Sequence, residues 1–178
     1  MLVIGLILLI AGAAKAQMRP APGPEVKKLG FLTGQYTTRS NVYLNGGSTE
    51  PAMGTGTATL RWGLDSMVVL LDESENNPAL GVYKGFGIVG YDRHDGKYYL
   101  SMFNNYGDRP QYSGDFAGDT LLLTTTVPSP EGKFVQLVKW YANGNTLRLQ
   151  VFNDFGQGPT LSVDWTATPA NGADDVKK

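Results

Sequence analysis

The sequence predicts an all-β protein: a closed, up-and-down antiparallel β-barrel of about ten strands, preceded by one short helix. Three observations carry this prediction. Turn signals recur at short, fairly regular intervals: Asn45-Gly46-Gly47, Gly63-Leu64-Asp65, Asn76-Asn77-Pro78, Asp95-Gly96, Gly107-Asp108, Gly118-Asp119, Pro130-Glu131-Gly132, Asn143-Gly144-Asn145 and Gly156-Gln157-Gly158. The runs between them alternate apolar with polar residues. The stretch Gly85–Asn105 reads as two long antiparallel strands joined by a tight Asp-Arg-His-Asp-Gly turn, the first strand glycine-rich and the second dense in aromatics.

The elements follow in order. Glu25–Leu32 places Val26, Leu29 and Leu32 three apart, which suits one short helix with an apolar stripe, and Gly34 stops it. In Pro51–Trp62, Gly54, Gly56, Ala58, Leu60 and Trp62 oppose Thr55, Thr57, Thr59 and Arg61. In Thr146–Asp154, Leu147, Leu149 and Val151 oppose Arg148 and Gln150; in Thr160–Thr168, Leu161, Val163 and Trp165 oppose Ser162, Asp164 and Thr166. One apolar and one polar face per strand is the half-buried pattern. Sequential hairpins without a long crossover favour a meander that closes on itself and so removes both edge strands. Alternation names two faces without saying which is inside, so both parities stay open.

The domain boundaries are residues 1–16, a signal peptide; 17–24, a Pro-rich linker; 25–168, the barrel; and 169–178, a disordered tail of small and charged residues. Leu2–Ile10 is apolar, uncharged and too short to anchor in a bilayer, and Ala14-Lys15-Ala16 offers a small-x-small cleavage site that leaves Gln17 as the new terminus. Only Met1 precedes the apolar run, so the basic segment usual in a signal is missing; a short membrane anchor is the alternative reading. With cleavage the protein is exported, periplasmic or secreted, with no stable membrane insertion. The formal net charge is −1, with no basic patch for nucleic acid and no charge run for an anionic membrane surface. The chain has no cysteine, which excludes disulfides, thiol catalysis, zinc–thiolate sites and a lipid on a processed cysteine.

One short helix, then Gly34-Gln35-Tyr36, then about ten antiparallel strands, resembles a calycin-type barrel, the group of the lipocalins, fatty-acid-binding proteins and nitrobindin-like haem proteins. More specifically the chain is similar to a bacterial domain-of-unknown-function family placed with the calycins. That resemblance runs from about Lys28 to Thr168 and rests on Leu32-Thr33-Gly34, Gly87–Asp92 (GIVGYD), Tyr99, Phe103 and Ser113-Gly114. The family usually has Trp at Tyr36 and Phe103 and Asp at Asn105. The resemblance implies a small-molecule cavity, with Tyr36 plugging one barrel end, and no particular reaction.

No catalytic constellation is present. His94 is the only histidine, which rules out a triad or a two-histidine metal site. Its place in Asp92–Gly96 makes it a solvated turn residue, with lone haem ligation as the sharper alternative; a nitrobindin-like protein would carry its haem histidine near the C-terminal strands, and Thr146–Thr168 contains none. Asp92 caps that turn through an Asx-type bond. Asp72–Asn77 (DESENN) reads as a solvated acidic hairpin tip; the alternative is a calcium site, although the spacing matches no known calcium loop. The aromatics are the best functional material. In a ligand barrel Arg61, Trp62, Phe86, Tyr91, Tyr99, Phe103, Trp140 and Arg148 would line the site, with Arg61 or Arg148 orienting a carboxylate; in a packed barrel the aromatics are core. The expected function is therefore an exported binding protein for a small apolar or amphipathic ligand in the lumen, without metal or cofactor. The alternatives are a packed barrel that binds an envelope protein partner, and an enzyme using Asp92, Tyr99 or Asp164.

Overall fold

The computed structural model of the protein describes residues 21–44, 50–130 and 132–170. Residues 1–16, expected as a signal peptide, most of the expected Pro-rich linker, the Asn45-Gly46-Gly47 turn signal, Glu131 and residues 171–178 lie outside them. The elements are α1 (Pro24–Lys27), a 3-10 turn α2 (Lys28–Leu32), β1 (Gly34–Val42), β2 (Ala52–Gly63), β3 (Val68–Asn77), β4 (Gly81–Asp92), β5 (Lys97–Asn104), β6 (Gln111–Ala117), β7 (Thr120–Ser129), β8 (Gly132–Asn143), β9 (Thr146–Asp154) and β10 (Thr160–Pro169). Each strand pairs antiparallel with its neighbours in sequence, and β1 closes the barrel against β10 from Tyr36↔Pro169 to Val42↔Val163. The predicted fold class is thus the observed one: ten strands, up-and-down, closed.

Two ends differ. At one end the short helical segment folds under the strands and buries Val26, Leu29 and Leu32 completely. Pro24 starts it, a position where the missing N–H costs nothing. Tyr36 ties this plug to the barrel: its hydroxyl donates to the Leu32 carbonyl at 3.1 Å and to the Thr33 carbonyl at 3.0 Å. Its ring lies directly over Gly34, where a β-carbon would approach the ring carbons to 2.6 Å, so glycine at this position is a packing requirement. Tyr98 adds a second tie, donating to the Glu25 carbonyl at 3.0 Å. The opposite end carries the β3–β4, β5–β6, β7–β8 and β9–β10 connections and, among the described residues, no helix.

The register decides which face is inside. Leu147, Trp165, Ala167, Leu121, Leu123, Val138 and Trp140 belong to one buried cluster with Leu60, Val69, Leu71, Val89 and Leu100. The partners of Leu147 and Leu149 on β10 are Ala167 and Trp165, so Arg148, Gln150, Asp164 and Thr166 face outward.

Two boundaries differ from the sequence expectation. β10 runs through Pro169, and the Ala170 N–H donates to the Gln35 carbonyl at 2.9 Å, so the barrel extends into what read as tail. Proline is tolerated there because it is the last residue of the strand. The acidic run Asp72–Asn77 is no hairpin tip: it is the second half of β3, paired with β4 from Asp72↔Phe86 to Asn77↔Gly81. Its alternation continues that of Val69 and Leu71, which puts Glu73, Glu75 and Asn77 inside.

Candidate functional site

Above the packed core, the barrel is hollow. A cavity of about 940 Å³ occupies the half remote from the helix, floored by Trp140, Trp165, Leu71, Leu100 and Val138 and rimmed by the β3–β4 turn and the Tyr106–Pro110 loop. The volume falls within the range of small-molecule pockets. Val138, Trp140 and Trp165 are shared between cavity floor and buried core, so the barrel is both packed and hollow, end by end.

Its polar lining comes from seven strands. On β3, Glu73 and Glu75 project inward. Glu73 Oε1 and the Tyr83 hydroxyl from β4 meet over Gly85, where a β-carbon would stand 2.9 Å from each; the absence of a side chain at Gly85 is what lets them meet. Burial first, and then the neighbouring Glu75 and Asp72 charges, raise the Glu73 carboxyl to about 7 against the opposing Tyr83 hydrogen bond. Glu75 is also raised, by burial first, against hydrogen bonds from Ser40 and Thr38 of β1. Ser40 Oγ donates to Glu75 Oε1 above Gly54, whose missing side chain leaves the space. Tyr83 lies well above the usual phenol range, from burial and then from Glu73.

Across the lumen, Tyr112 of β6 donates to Gln136 Oε1 of β8 at 2.5 Å, and Gln136 Nε2 donates to Asn153 Oδ1 of β9 at 2.8 Å. Burial pushes the Tyr112 hydroxyl up to about 12. Near the rim, Asn77 Nδ2 donates to the Ala52 carbonyl at 3.1 Å and its Oδ1 accepts the Ala79 N–H at 3.0 Å, pinning the β3–β4 turn to β2. Trp140 is 2% exposed, and its indole N–H has no acceptor among the described residues.

Of the expected lining residues, Trp140 alone lines this cavity. Trp62 and Tyr91 point inward at the closed end, where both pack on the core and Tyr91 sits 5.0 Å from the Tyr98 ring centroid. Arg61, Phe86, Tyr99, Phe103 and Arg148 are on the outer face, which corrects their assignment to the lumen. Phe86 and Phe103 are register partners, 41% and 43% exposed. The Tyr99 ring covers Gly90 from outside, again its register partner. Arg148 Nη2 donates to both Asp164 oxygens at 2.6 and 2.8 Å, so neither group is available inside. The physical reason is parity: period-2 alternation separates two faces without saying which one lines the lumen, and these large and charged groups belong to the outer one.

The remaining expectations concern turns. Asp92 Oδ1 accepts the His94 N–H at 2.8 Å and the Asp95 N–H at 3.3 Å, the Asx-type cap expected of it. His94 is exposed on that turn, at the closed end of the barrel. Asn105 is a strand clamp: its Oδ1 accepts the Lys84 N–H and its Nδ2 donates to the Val82 carbonyl, both at 2.8 Å. A carboxylate could make only the first of these bonds. Among the described residues no three His, Asp or Glu side chains are grouped to hold a metal ion, and no helix is long and apolar enough to cross a membrane.

The side chains missed in the sequence are Glu73, Glu75, Tyr83, Tyr112 and Gln136. A signal for the first two existed: Val69, Leu71, Glu73, Glu75 and Asn77 share one parity.

Comparison with solved structures agrees with the fold. The crystal structure of Rv2717c from M. tuberculosis superposes with a TM-score of 0.60, covering 84% of this chain and 99% of that chain at 13% sequence identity. At that identity the likeness shows the barrel and nothing finer. No protein-family model and no curated protein matches the chain.

The outer placement of the Arg148–Asp164 pair makes a measurable prediction. Both side chains keep contact with solvent, at 24% and 19% exposure, so Arg148→Ala is expected to cost below about 1 kcal/mol. A double-mutant cycle with Asp164→Ala, followed by urea unfolding, checks it; a coupling of several kcal/mol would mean the pair is a buried structural element.

Proposed function

We propose that this protein is an exported, calycin-type carrier that holds a small apolar or amphipathic molecule in its lumen. The observation that carries this reading is the cavity of about 940 Å³ between the packed core and the open rim, with an apolar floor and a few convergent polar groups. A barrel of ten strands leaves room that an eight-stranded one fills with its own side chains. Export rests on Leu2–Ile10 and Ala14-Lys15-Ala16. Membership of the calycin group rests on the short helix that plugs one end, Gly34-Gln35-Tyr36 and the ten antiparallel strands, and that of the bacterial exported family placed with it on Leu32-Thr33-Gly34, Gly87–Asp92, Tyr99, Phe103 and Ser113-Gly114.

Desolvation supplies the driving force. A chain of ten or so carbons moved from water to the floor formed by Trp140, Trp165 and Leu71 gains about 0.8 kcal/mol per buried CH₂ before ordering costs. Native mass spectrometry of the full chain, before and after solvent extraction, tests the reading. A surplus mass that extraction removes is the expected result. No surplus, together with no uptake from a lipid panel, would overturn it and turn attention to the outward Phe86–Phe103 pair as a protein-binding surface.

A further inference from the structure

We infer that the upper lumen is a head-group site for an amphiphilic amine, an alkylammonium whose charge meets Glu73 and Glu75 while its chain runs toward Trp140 and Trp165. The inference rests on the carrier reading above and assigns the ligand's polar end a sign opposite to that of a fatty acid.

The first argument is charge. Among the described residues that line the cavity, the charged ones are Glu73 and Glu75 on β3 and Asp108 and Arg109 on the β5–β6 loop. The single cation therefore sits at the rim, on an exposed loop, and both strand-borne charges inside are carboxylates. A carboxylate removed from bulk water is costly unless a cation accompanies it. The described residues supply hydrogen-bond donors, Tyr83 to Glu73 and Ser40 and Thr38 to Glu75, but no counterion inside the lumen. An ammonium on the ligand completes the pair. A fatty-acid carboxylate would add a third like charge.

The second argument is construction. The carboxylates are seated over Gly85 and Gly54, where a β-carbon would stand 2.9 Å from the Glu73 and Tyr83 oxygens, or closer still to those of Glu75 and Ser40, and would oblige these side-chain ends to shift. Both glycines stand where the carboxylates cross to the facing strand, so the wall is shaped around them. A metal ion is the weaker fit, because the two carboxylates have no third Asp, Glu or His grouped with them among the described residues.

Protonation supports this. Glu75 and Asp72 on β3 and Tyr83 on β4 are the titratable groups that act on Glu73, Tyr112 on β6 acts in turn on Tyr83, and none is a cation. With its carboxyl raised to about 7, Glu73 is ionised above neutrality and protonated below it, whereas an alkylammonium keeps its charge throughout this range.

The test is calorimetric titration of the solvent-extracted full chain with three probes of equal chain length, decylammonium, decanol and decanoate, each below its micelle concentration. At pH 8 decylammonium is expected to bind about tenfold or more tighter than decanol, with decanoate weakest. Glu73→Gln and, separately, Glu75→Gln are each expected to lower the decylammonium affinity about tenfold, and the advantage of decylammonium over decanol should shrink at pH 6. Arg148→Ala, on the outer face, should leave all three affinities unchanged. Decanol or decanoate binding as tightly as decylammonium would overturn the inference and leave the carrier reading standing. No binding of any probe, with no extractable mass on the native protein, would overturn both.

Discussion

Raising the pH from 5 to 8 is expected to destabilise the ligand-free protein, and Glu73→Gln is expected to remove most of that loss. The Glu73 carboxyl sits at about 7 in the folded barrel and near 4.5 when exposed, because burial beside Glu75 and Asp72 penalises its charge. The folded state therefore holds this proton more tightly than the unfolded one. Below about pH 4.5 both states are protonated and the contribution is fully present. As pH rises through the window up to about 7 the unfolded chain gives up the proton first, so stability falls. The gap corresponds to at most about 3 kcal/mol, and water in the lumen brings the measured loss below that ceiling. Glutamine keeps the shape of the protonated acid and cannot ionise, so its stability curve should be nearly flat across the same window. Urea unfolding of both proteins at pH 5 and pH 8 gives the answer. A wild-type protein as stable at pH 8 as at pH 5 would mean that Glu73 is already solvated or paired in the free lumen.

Leu29→Ala is expected to be at least as severe, costing about 2–5 kcal/mol and lowering the melting temperature by about 5–20 °C. Leu29 is fully buried although its own segment makes no strand pairing at all. The plug is held by Val26, Leu29 and Leu32 beneath the barrel and by the Tyr36 and Tyr98 hydroxyls, which bond to carbonyls of the plug and of Thr33 just after it. Removing the central leucine leaves a void that a closed sheet cannot collapse to fill, since ten mutually paired strands have little freedom to move inward. Differential scanning calorimetry decides it: a shift of only a degree or two would show that the plug sits loosely on the barrel and that the strands are stable without it.

The two predictions concern opposite ends of one barrel, and the division between those ends organises the molecule. The helix end spends its side chains on a core of aliphatic and aromatic groups. The rim end keeps a cavity whose walls carry Glu73, Glu75, Tyr83 and Tyr112. The packed layer and the polar cavity are thus separated along the barrel axis, and polar groups can be held in the upper lumen without disturbing the core below.

Much of this was readable from residue order. Gly and Asx turn signals located the hairpins, because a positive φ or a side-chain cap is needed wherever a strand reverses; Gly96 at φ 65° and the Asp92 cap occupy the same turn. The spacing of Val26, Leu29 and Leu32 announced one short helical segment with a single buried face. Sequential hairpins without crossovers announced an up-and-down barrel. These are local properties, set by neighbours a few residues apart.

What only the tertiary structure decided is which way each strand faces. A period-2 pattern is the same seen from either side, and a strand learns its orientation from partners far away in the chain: Arg148 is outside because Leu147 and Leu149 stand opposite Ala167 and Trp165. The acidic run shows the same dependence most sharply. Asp72–Asn77 has the composition of a solvated turn, yet pairing with β4 carries it on as strand to Asn77↔Gly81 and turns Glu73 and Glu75 inward. Gly85 and Gly54 then make room for two carboxylates that hydropathy alone would leave in water. Residue order determined the strands, the turns and the plug; long-range register, which no local preference encodes, decided which side chains would meet in the lumen.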